Sequence, residues 1–405
     1  MDQNDWKGYI VNILFVFLLI IILLPSTVVV NTTIGNASSI ILTFLFLIII
    51  YSIYGGVAVE YVKSIGIAFF IIFLVLLYHI HNGRYNLAHN AFYPIYGVLY
   101  PVIFMFIFPN YINYRVISKA IAVFSSVVVI IGLPALIIGT YDLFWFQVQA
   151  VEYSSVTRLR SIFEGSQNSL GRFLMIGSIF AFSEYHNTSN TLWGGVVAIN
   201  IFGLYLTGSR GSLAAFSIGF SIYLIYYFYN KEIYKKVYAI VLFGYSSALL
   251  FFFGLIPWPN TIKSIDFSHR FEIWDATLNA SSNNIILGNG LVPRSELIAP
   301  YLYTPEIMGV NPHNGYLSIL LYSGIIGLIS YLSIIYQVLL LSIARDESNV
   351  LMMSVSISIL TESFVEDVMI IGTGFSTIIL SMCFGYLIKE SEISNRIIIK
   401  QKTTD

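Results

Sequence analysis

Asn311-Pro312-His313-Asn314 is where this sequence best places a side chain able to move a proton. An asparagine N-cap followed by proline at the first helical position is a helix start, so the pattern predicts His313 in the first turn of a helix. The positive end of a helix disfavours charge on an imidazole, which suits a base acting at neutral pH; a bound anion acts the other way. An interfacial histidine that only shapes the chain entry fits the same local pattern.

Arginines able to hold an anion are spread around it in the chain. Thr207-Gly208-Ser209-Arg210-Gly211 puts Arg210 at the start of an outgoing apolar helix, between glycines that let a ligand approach the backbone; the alternative is an arginine that snorkels to the interface. His269-Arg270-Phe271-Glu272-Ile273-Trp274 puts Arg270 at another helix start, where an anion is welcome and a solvated face is the plainer reading. Arg158, Arg160 and Asn168 are candidate substrate contacts in a polar stretch, with Glu152 and Glu164 as alternative partners for the arginines. Arg294 and Asn314 complete that set.

Other chemistries lack their residues. Carboxylates are sparse: Glu296 and Glu306 in one long loop, and Glu362, Glu366 and Asp367 at the end of an apolar run. No HExxH, DxD-like or Walker-type pattern occurs, so neither a metal, a nucleotide nor any other cofactor is expected.

The elements that position these residues follow from composition. The chain has 405 residues, 57% hydrophobic and 10% charged, with mean hydropathy +0.80, more than a soluble domain buries. Apolar runs of about 20 residues cross the hydrocarbon core only as helices, because lipid satisfies no backbone group. The reading is therefore an all-α integral membrane protein, a single polytopic domain over 1–405 with no barrel-type strands. Polar breaks divide it into twelve spans near 9–25, 38–56, 64–80, 93–109, 118–138, 170–185, 192–208, 211–229, 238–256, 313–342, 349–365 and 371–388. The first is read as a span rather than a signal peptide, since no small-residue cleavage site follows it. Cys383 is the single cysteine, so there is no disulfide framework or thiolate metal site, and a net charge of −1 argues against nucleic acid.

The lysine-rich C-terminal tail and the loop with Lys231, Lys235 and Lys236 assign both termini to the cytoplasm. The external cations are then Arg84, Arg158, Arg160, Arg172, Arg210, Lys263, Arg270 and Arg294. Arginine forks bind phosphate bidentately where lysine is a point charge, so the external face is suited to an anion. Its long segments are 139–169 and 257–312. Long loops of this kind are usually functional. In the second, Phe271, Trp274 and Leu278 recur at helical spacing, which predicts a short amphipathic helix at the membrane interface.

The ordered series Thr-Gly-Ser-Arg-Gly (207–211), Arg270-Phe271-Glu272-Ile273-Trp274, Ile286-Leu287-Gly288-Asn289-Gly290, His313-Asn314-Gly315-Tyr316-Leu317 and Gly324-Ile325-Ile326-Gly327-Leu328 resembles the O-antigen ligase and polymerase family of bacterial polysaccharide assembly. Tyr322 stands where that family often has an acidic residue, and Gln167 where it often has proline. The resemblance implies a GT-C-like membrane fold and metal-independent, inverting glycosyl transfer on the outer face of the bacterial cytoplasmic membrane. The implied donor is an undecaprenyl-pyrophosphate-linked glycan, the acceptor a glycan or lipid-linked acceptor, and a chain-length-regulating membrane protein a further partner. By position it implies that Arg210 and Arg270 hold the pyrophosphate and that His313 activates the acceptor hydroxyl.

Two readings share these motifs: a polymerase that joins lipid-linked repeat units, which is preferred, and a ligase that delivers the glycan to lipid A core or another acceptor. A flippase or other transporter is the third, and it fits less well because transporters carry ionisable residues near the midplane of their spans.

Overall fold

The structure, a computed structural model, describes residues 5–30, 32–59, 62–80, 87–153, 156–164, 166–229, 231–259, 269–290, 292–341 and 347–402. Helices run in the order α1 (Asp5–Leu23), α2 (Thr32–Tyr54), α3 (Lys63–Tyr78), α4 (Leu87–Phe106), α5 (Tyr114–Gly132), α6 (Ala135–Ile138), α7 (Gln167–Thr188), α8 (Thr191–Thr207), α9 (Arg210–Phe228), α10 (Lys231–Phe252), α11 (Arg270–Ser282), α12 (Arg294–Ile298), α13 (Gly315–Leu341), α14 (Glu347–Glu362) and α15 (Phe375–Lys402). Each apolar segment of the sequence carries a helix. Among the described residues six of them, α1, α2, α5, α9, α10 and α13, are long and apolar enough to cross a membrane by length and composition.

At the centre of the bundle stands α14, buried nearly all round, with Ser354, Ser356 and Ser358 fully inside. Small residues let it pack closely: a Cβ on Gly219 of α9 would lie 1.9 Å from Ser358 Oγ and 2.4 Å from the Ser354 carbonyl. The same device joins α7 to α5, where a Cβ on Gly177 would lie 2.1 Å from Ser125 Oγ. With lipid as solvent, close backbone approach rather than apolar burial drives such contacts.

The segment 139–169 corrects the all-α reading, because it contains a three-stranded antiparallel sheet: β1 (Tyr141–Leu143), β2 (Phe146–Tyr153) and β3 (Val156–Ser161). Alternation is confined to Phe146 and Val148, of which Val148 is fully buried, before a bulge at Gln149/Ala150 breaks the register. In β3 Leu159 and Ser161 point inward, leaving Arg158 and Arg160 on the other face.

A second difference lies in α13, which is broken at Gly324 (φ 60°, ψ −164°). The break strands backbone groups, and the Ile286–Gly290 segment takes them up. Asn289 and Gly290 N–H donate to the Leu321 and Tyr322 carbonyls at 2.9 and 3.0 Å, and Ile325 N–H donates to the Ile285 carbonyl at 2.8 Å. Gly288 (φ 76°) and Gly324 face each other, and a Cβ on Gly324 would lie 2.3 Å from the Ile286 carbonyl oxygen. Two of the family-like glycine motifs are therefore the halves of one backbone clasp. After the break, at 1.5 Å per residue, α13 is about 25 Å long, enough for one crossing.

α11 forms where the amphipathic helix was expected, but its apolar face meets protein. Trp274 meets Phe252 edge to face at a centroid distance of 4.7 Å and stacks with Trp258 at 6.2 Å.

Candidate functional site

One carboxylate gathers four side chains from three other parts of the chain. Glu366, in the turn after α14, accepts from Asn168 Nδ2 at 2.7 Å and Arg270 Nη2 at 2.9 Å. Its other oxygen, Oε2, lies 3.7 Å from Arg172 Nη2 and 3.8 Å from His313 Nδ1. Asn168 and Arg172 are one turn apart on α7 and so share a face. Burial pushes the Glu366 pKa up, but the His313 ring N–H and the Arg172 and Arg270 guanidiniums outweigh it and bring it from 4.5 to about 2. The carboxylate is therefore ionised throughout the physiological range.

One turn earlier, Glu362 is fully buried at the end of α14. It pairs with Arg172 Nε at 3.2 Å and accepts from Ser212 Oγ at 2.7 Å. Ser212 ties Glu362 to the Thr207–Ser212 turn, whose Ser209 caps α9 by accepting from Ser212 N–H. On the far side, Asp367 pairs with Arg294 and accepts from Ser318 Oγ at 2.6 Å. The Arg294 guanidinium also lies 5.4 Å from the centre of the Tyr322 ring, the tyrosine found in place of an acidic residue.

His313 is not in the first turn of α13, as the proline pattern predicted. It precedes the helix in the left-handed region (φ 47°), with its side chain 38% exposed. The helix is capped by Asn314, whose Oδ1 accepts from Tyr316 and Leu317 N–H at 2.9 and 3.0 Å while its Nδ2 donates to the Phe364 carbonyl at 2.9 Å. Asn314 is fully buried, so in this conformation it is a positioning residue. Gly315 N–H donates to the Ser363 and Glu366 carbonyls, locking the histidine loop to the Glu366 turn. A Cβ at Gly315 would lie 2.0 Å from the Val368 carbonyl oxygen, so only glycine fits there.

The structure thus brings Asn168, Arg270 and His313 onto one carboxylate, with Arg294 on the neighbouring one. Arg210 stands outside this network as the first residue of α9, exposed and without an ion pair among the described residues. Arg158 lies over the same turn, where a Cβ on Gly208 would meet its Nε at 3.0 Å. Arg160 donates through Nε to the Phe163 carbonyl at 3.0 Å and braces its own loop. Arg84 and Lys263 lie outside the described residues.

Arg172, Glu362 and Glu366 were not singled out from sequence as site residues. The signal was there: a buried carboxylate pair four residues apart closes an otherwise uncharged span, and charge at such depth needs partners. What sequence did not show was which arginine would answer it.

Arg270 keeps one donor unspent. Its Nη1 is buried and has no hydrogen-bond partner among the described residues. A cavity of about 120 Å³ lies beside Arg172 and Asp367 and is also lined by Leu23, Phe173 and Phe375. Those three apolar residues also line a slot of about 390 Å³ between α1 and α5, bordered otherwise by side chains such as Val16, Ile20, Val123 and Val127. An apolar slot and a charged cavity therefore adjoin.

Residues 195–332 match the sequence model of a family described as O-antigen ligase. No curated protein matches the chain. The matched segment runs from within α8 past the break in α13 and contains Arg210, Arg270, Arg294, His313 and both halves of the clasp. Over residues 195–332, about a third of its length, the chain is thus similar to the O-antigen ligase family, whose members are glycosyltransferase-like enzymes, and the match supports the O-antigen ligase and polymerase resemblance.

Proposed function

We infer that this chain is a polymerase that joins undecaprenyl-pyrophosphate-linked repeat units by inverting glycosyl transfer on the external face of the bacterial cytoplasmic membrane. The observation that carries the reading is the convergence of Arg270, Arg172, Asn168 and His313 on Glu366, beside an arginine donor left unspent. The acceptor hydroxyl attacks the anomeric carbon of the donor glycan and the bond to the pyrophosphate oxygen breaks, the electron pair leaving with the pyrophosphate. His313 takes the hydroxyl proton. Because Nδ1 faces Glu366, Nε2 is the nitrogen offered to the acceptor. The ionised Glu366 holds the ring and stabilises the imidazolium that forms.

Negative charge grows on the leaving pyrophosphate in the transition state, so guanidiniums fixed beforehand lower the barrier more than they tighten ground-state binding. Arg210 at the rim and Arg270 in the cluster are assigned to it, with Arg172, Arg158 and Arg294 as further sources of positive field. The slot between α1 and α5 supports a lipid-linked substrate, since an isoprenoid chain and the anion it carries find adjoining compartments.

Twelve crossings with both termini cytoplasmic fit the packing. Lys119–Glu184 and the bond from Lys389 to the Pro109 carbonyl lie at helix ends assigned to the cytoplasm, and the Glu366 cluster lies at ends assigned to the outside. The ligase reading shares every one of these residues and differs only in acceptor. Glycans in a deletion strain separate the two. Single repeat units on the final acceptor support a polymerase, and full-length chains stranded on the lipid pyrophosphate exclude it.

A further inference from the structure

Two clefts with polar linings lie away from the Glu366 cluster, one along α11 and one at its C-terminal end. One, of about 530 Å³, is lined by Glu272, Asp275, Asn279 and Tyr303. The other, of about 720 Å³, includes Asn283 at the end of the same helix. Tyr301 lines both, so they adjoin. Along α11, Glu272, Asp275, Asn279 and Asn283 recur at intervals of three and four and form one face, while Ile273, Trp274 and Thr277 are buried on the other. This face begins in the turn that delivers Arg270 to Glu366 and, at 1.5 Å per residue, extends about 20 Å from it.

The chemistry of the face is specific. Among the described residues no lysine or arginine lines either cleft, which does not favour a second phosphate site. It offers a carboxylate and amides at Asp275, Asn279 and Asn283, groups that hydrogen-bond hydroxyls as donor and acceptor together. It also offers the ring of Tyr303, 86% exposed in a position that is not left to chance. Glu272 accepts from Tyr303 N–H and Thr304 N–H at 2.7 and 2.9 Å and from the Thr304 hydroxyl at 2.7 Å. The Thr304 hydroxyl and these N–H groups hold the Glu272 carboxyl below its usual range. Asn283 Nδ2 likewise donates to the Tyr301 hydroxyl at 2.7 Å. Two tyrosines are thus pinned along a hydroxyl-binding face by side chains of the same helix. Exposed rings with polar edges and adaptable amides suit an uncharged, hydroxyl-rich ligand better than a lipid or an anion.

We propose that this face of α11 is a glycan track, which holds several sugars of an uncharged oligosaccharide while its reacting end lies at His313. The proposal rests on the glycosyl-transfer reading and adds where the sugar chain runs. Asp275 and Asn279 bind hydroxyls, Tyr303 is the stacking platform, and Glu272 is a positioning residue that holds Tyr303.

The test is binding of lipid-free oligosaccharides, cut from the producing strain's own surface glycan, to the full chain in nanodiscs, followed by saturation-transfer NMR. Tyr303→Ala and the double variant Asp275→Ala/Asn279→Ala are expected to weaken binding about tenfold, equivalent to about 1.4 kcal/mol. Tyr303→Phe and His313→Ala are expected to bind within about twofold of wild type. All these track positions are exposed, and unchanged thermal unfolding of each variant checks that the fold is kept. Wild-type binding with no loss in the track variants overturns the proposal, as does absence of binding by wild type. The parent reading fails separately: a wild type that binds glycan through the track but does not transfer it supports the track and sinks the transferase.

Discussion

Glu366 sets the energetics of the site. Its pairs with Arg270 and Arg172 are mostly buried, and removing one partner of such a pair leaves a charge without compensation, at a cost of about 3–5 kcal/mol. Glu366→Gln is expected to lower the thermal unfolding midpoint and activity together, whereas His313→Ala, at a more exposed position, is expected to leave the midpoint in place. Because the folded pKa of Glu366 is depressed, its stabilisation is complete above about 4.5 and is lost as pH falls toward about 2. Unfolding followed between pH 8 and 3 should show this contribution unchanged down to about pH 5 and declining below it, and a Glu366→Gln variant should lack that decline. For chemistry, His313→Ala should reduce transfer by about 10²–10⁴ while lipid-linked donor still binds, as read by paired turnover and binding measurements. Arg210→Lys should be impaired despite keeping its charge, because an ammonium does not reproduce the guanidinium fork. Of this constellation, Arg270, His313 and Asn168 were legible from residue type and spacing. Arg172 was not, because what sets it apart from the other arginines is a contact with Glu362 across 190 residues of sequence.

At the scale of elements, the apolar runs announced the helices, since periodicity and length are local properties. The small sheet was hidden by its brevity and by a bulge that interrupts its alternation. The helix break at Gly324 was hidden because the apolar pattern continues straight through it, and only the clasp with Gly288 reveals why both glycines are needed. A Cβ at Gly324 meets backbone, which has no flexible end to move aside, so Gly324→Ala is expected to destabilise by on the order of 3 kcal/mol. The readout is a shifted melting curve or loss of monodisperse protein, and a wild-type profile would contradict the clasp. The cap on α13 works in the same way. Asn314→Ala removes two accepted N–H bonds and one donated bond at a fully buried position, and it should disorder the histidine loop, lowering kcat together with stability.

For the whole molecule, α14 explains why the chemistry sits where it does. A helix buried all round carries its end into the middle of the bundle, so Glu362 and the turn bearing Glu366 and Asp367 meet α7, α9, α11 and α13 at one point. The apolar slot adjoins this point and the polar face of α11 leads away from it, an arrangement suited to a substrate that is lipid at one end and sugar at the other. The central claim is that this meeting point transfers a glycan from a lipid pyrophosphate, and it is tested most directly with the purified chain in nanodiscs. Lipid-linked glycan donor is supplied with defined acceptors one at a time, with and without a metal chelator. The expected result is a lengthened glycan with release of the lipid pyrophosphate, unchanged by chelation and absent in His313→Ala. Transfer at the wild-type rate by both His313→Ala and Arg210→Lys, or no transfer by wild type to any acceptor, would contradict it.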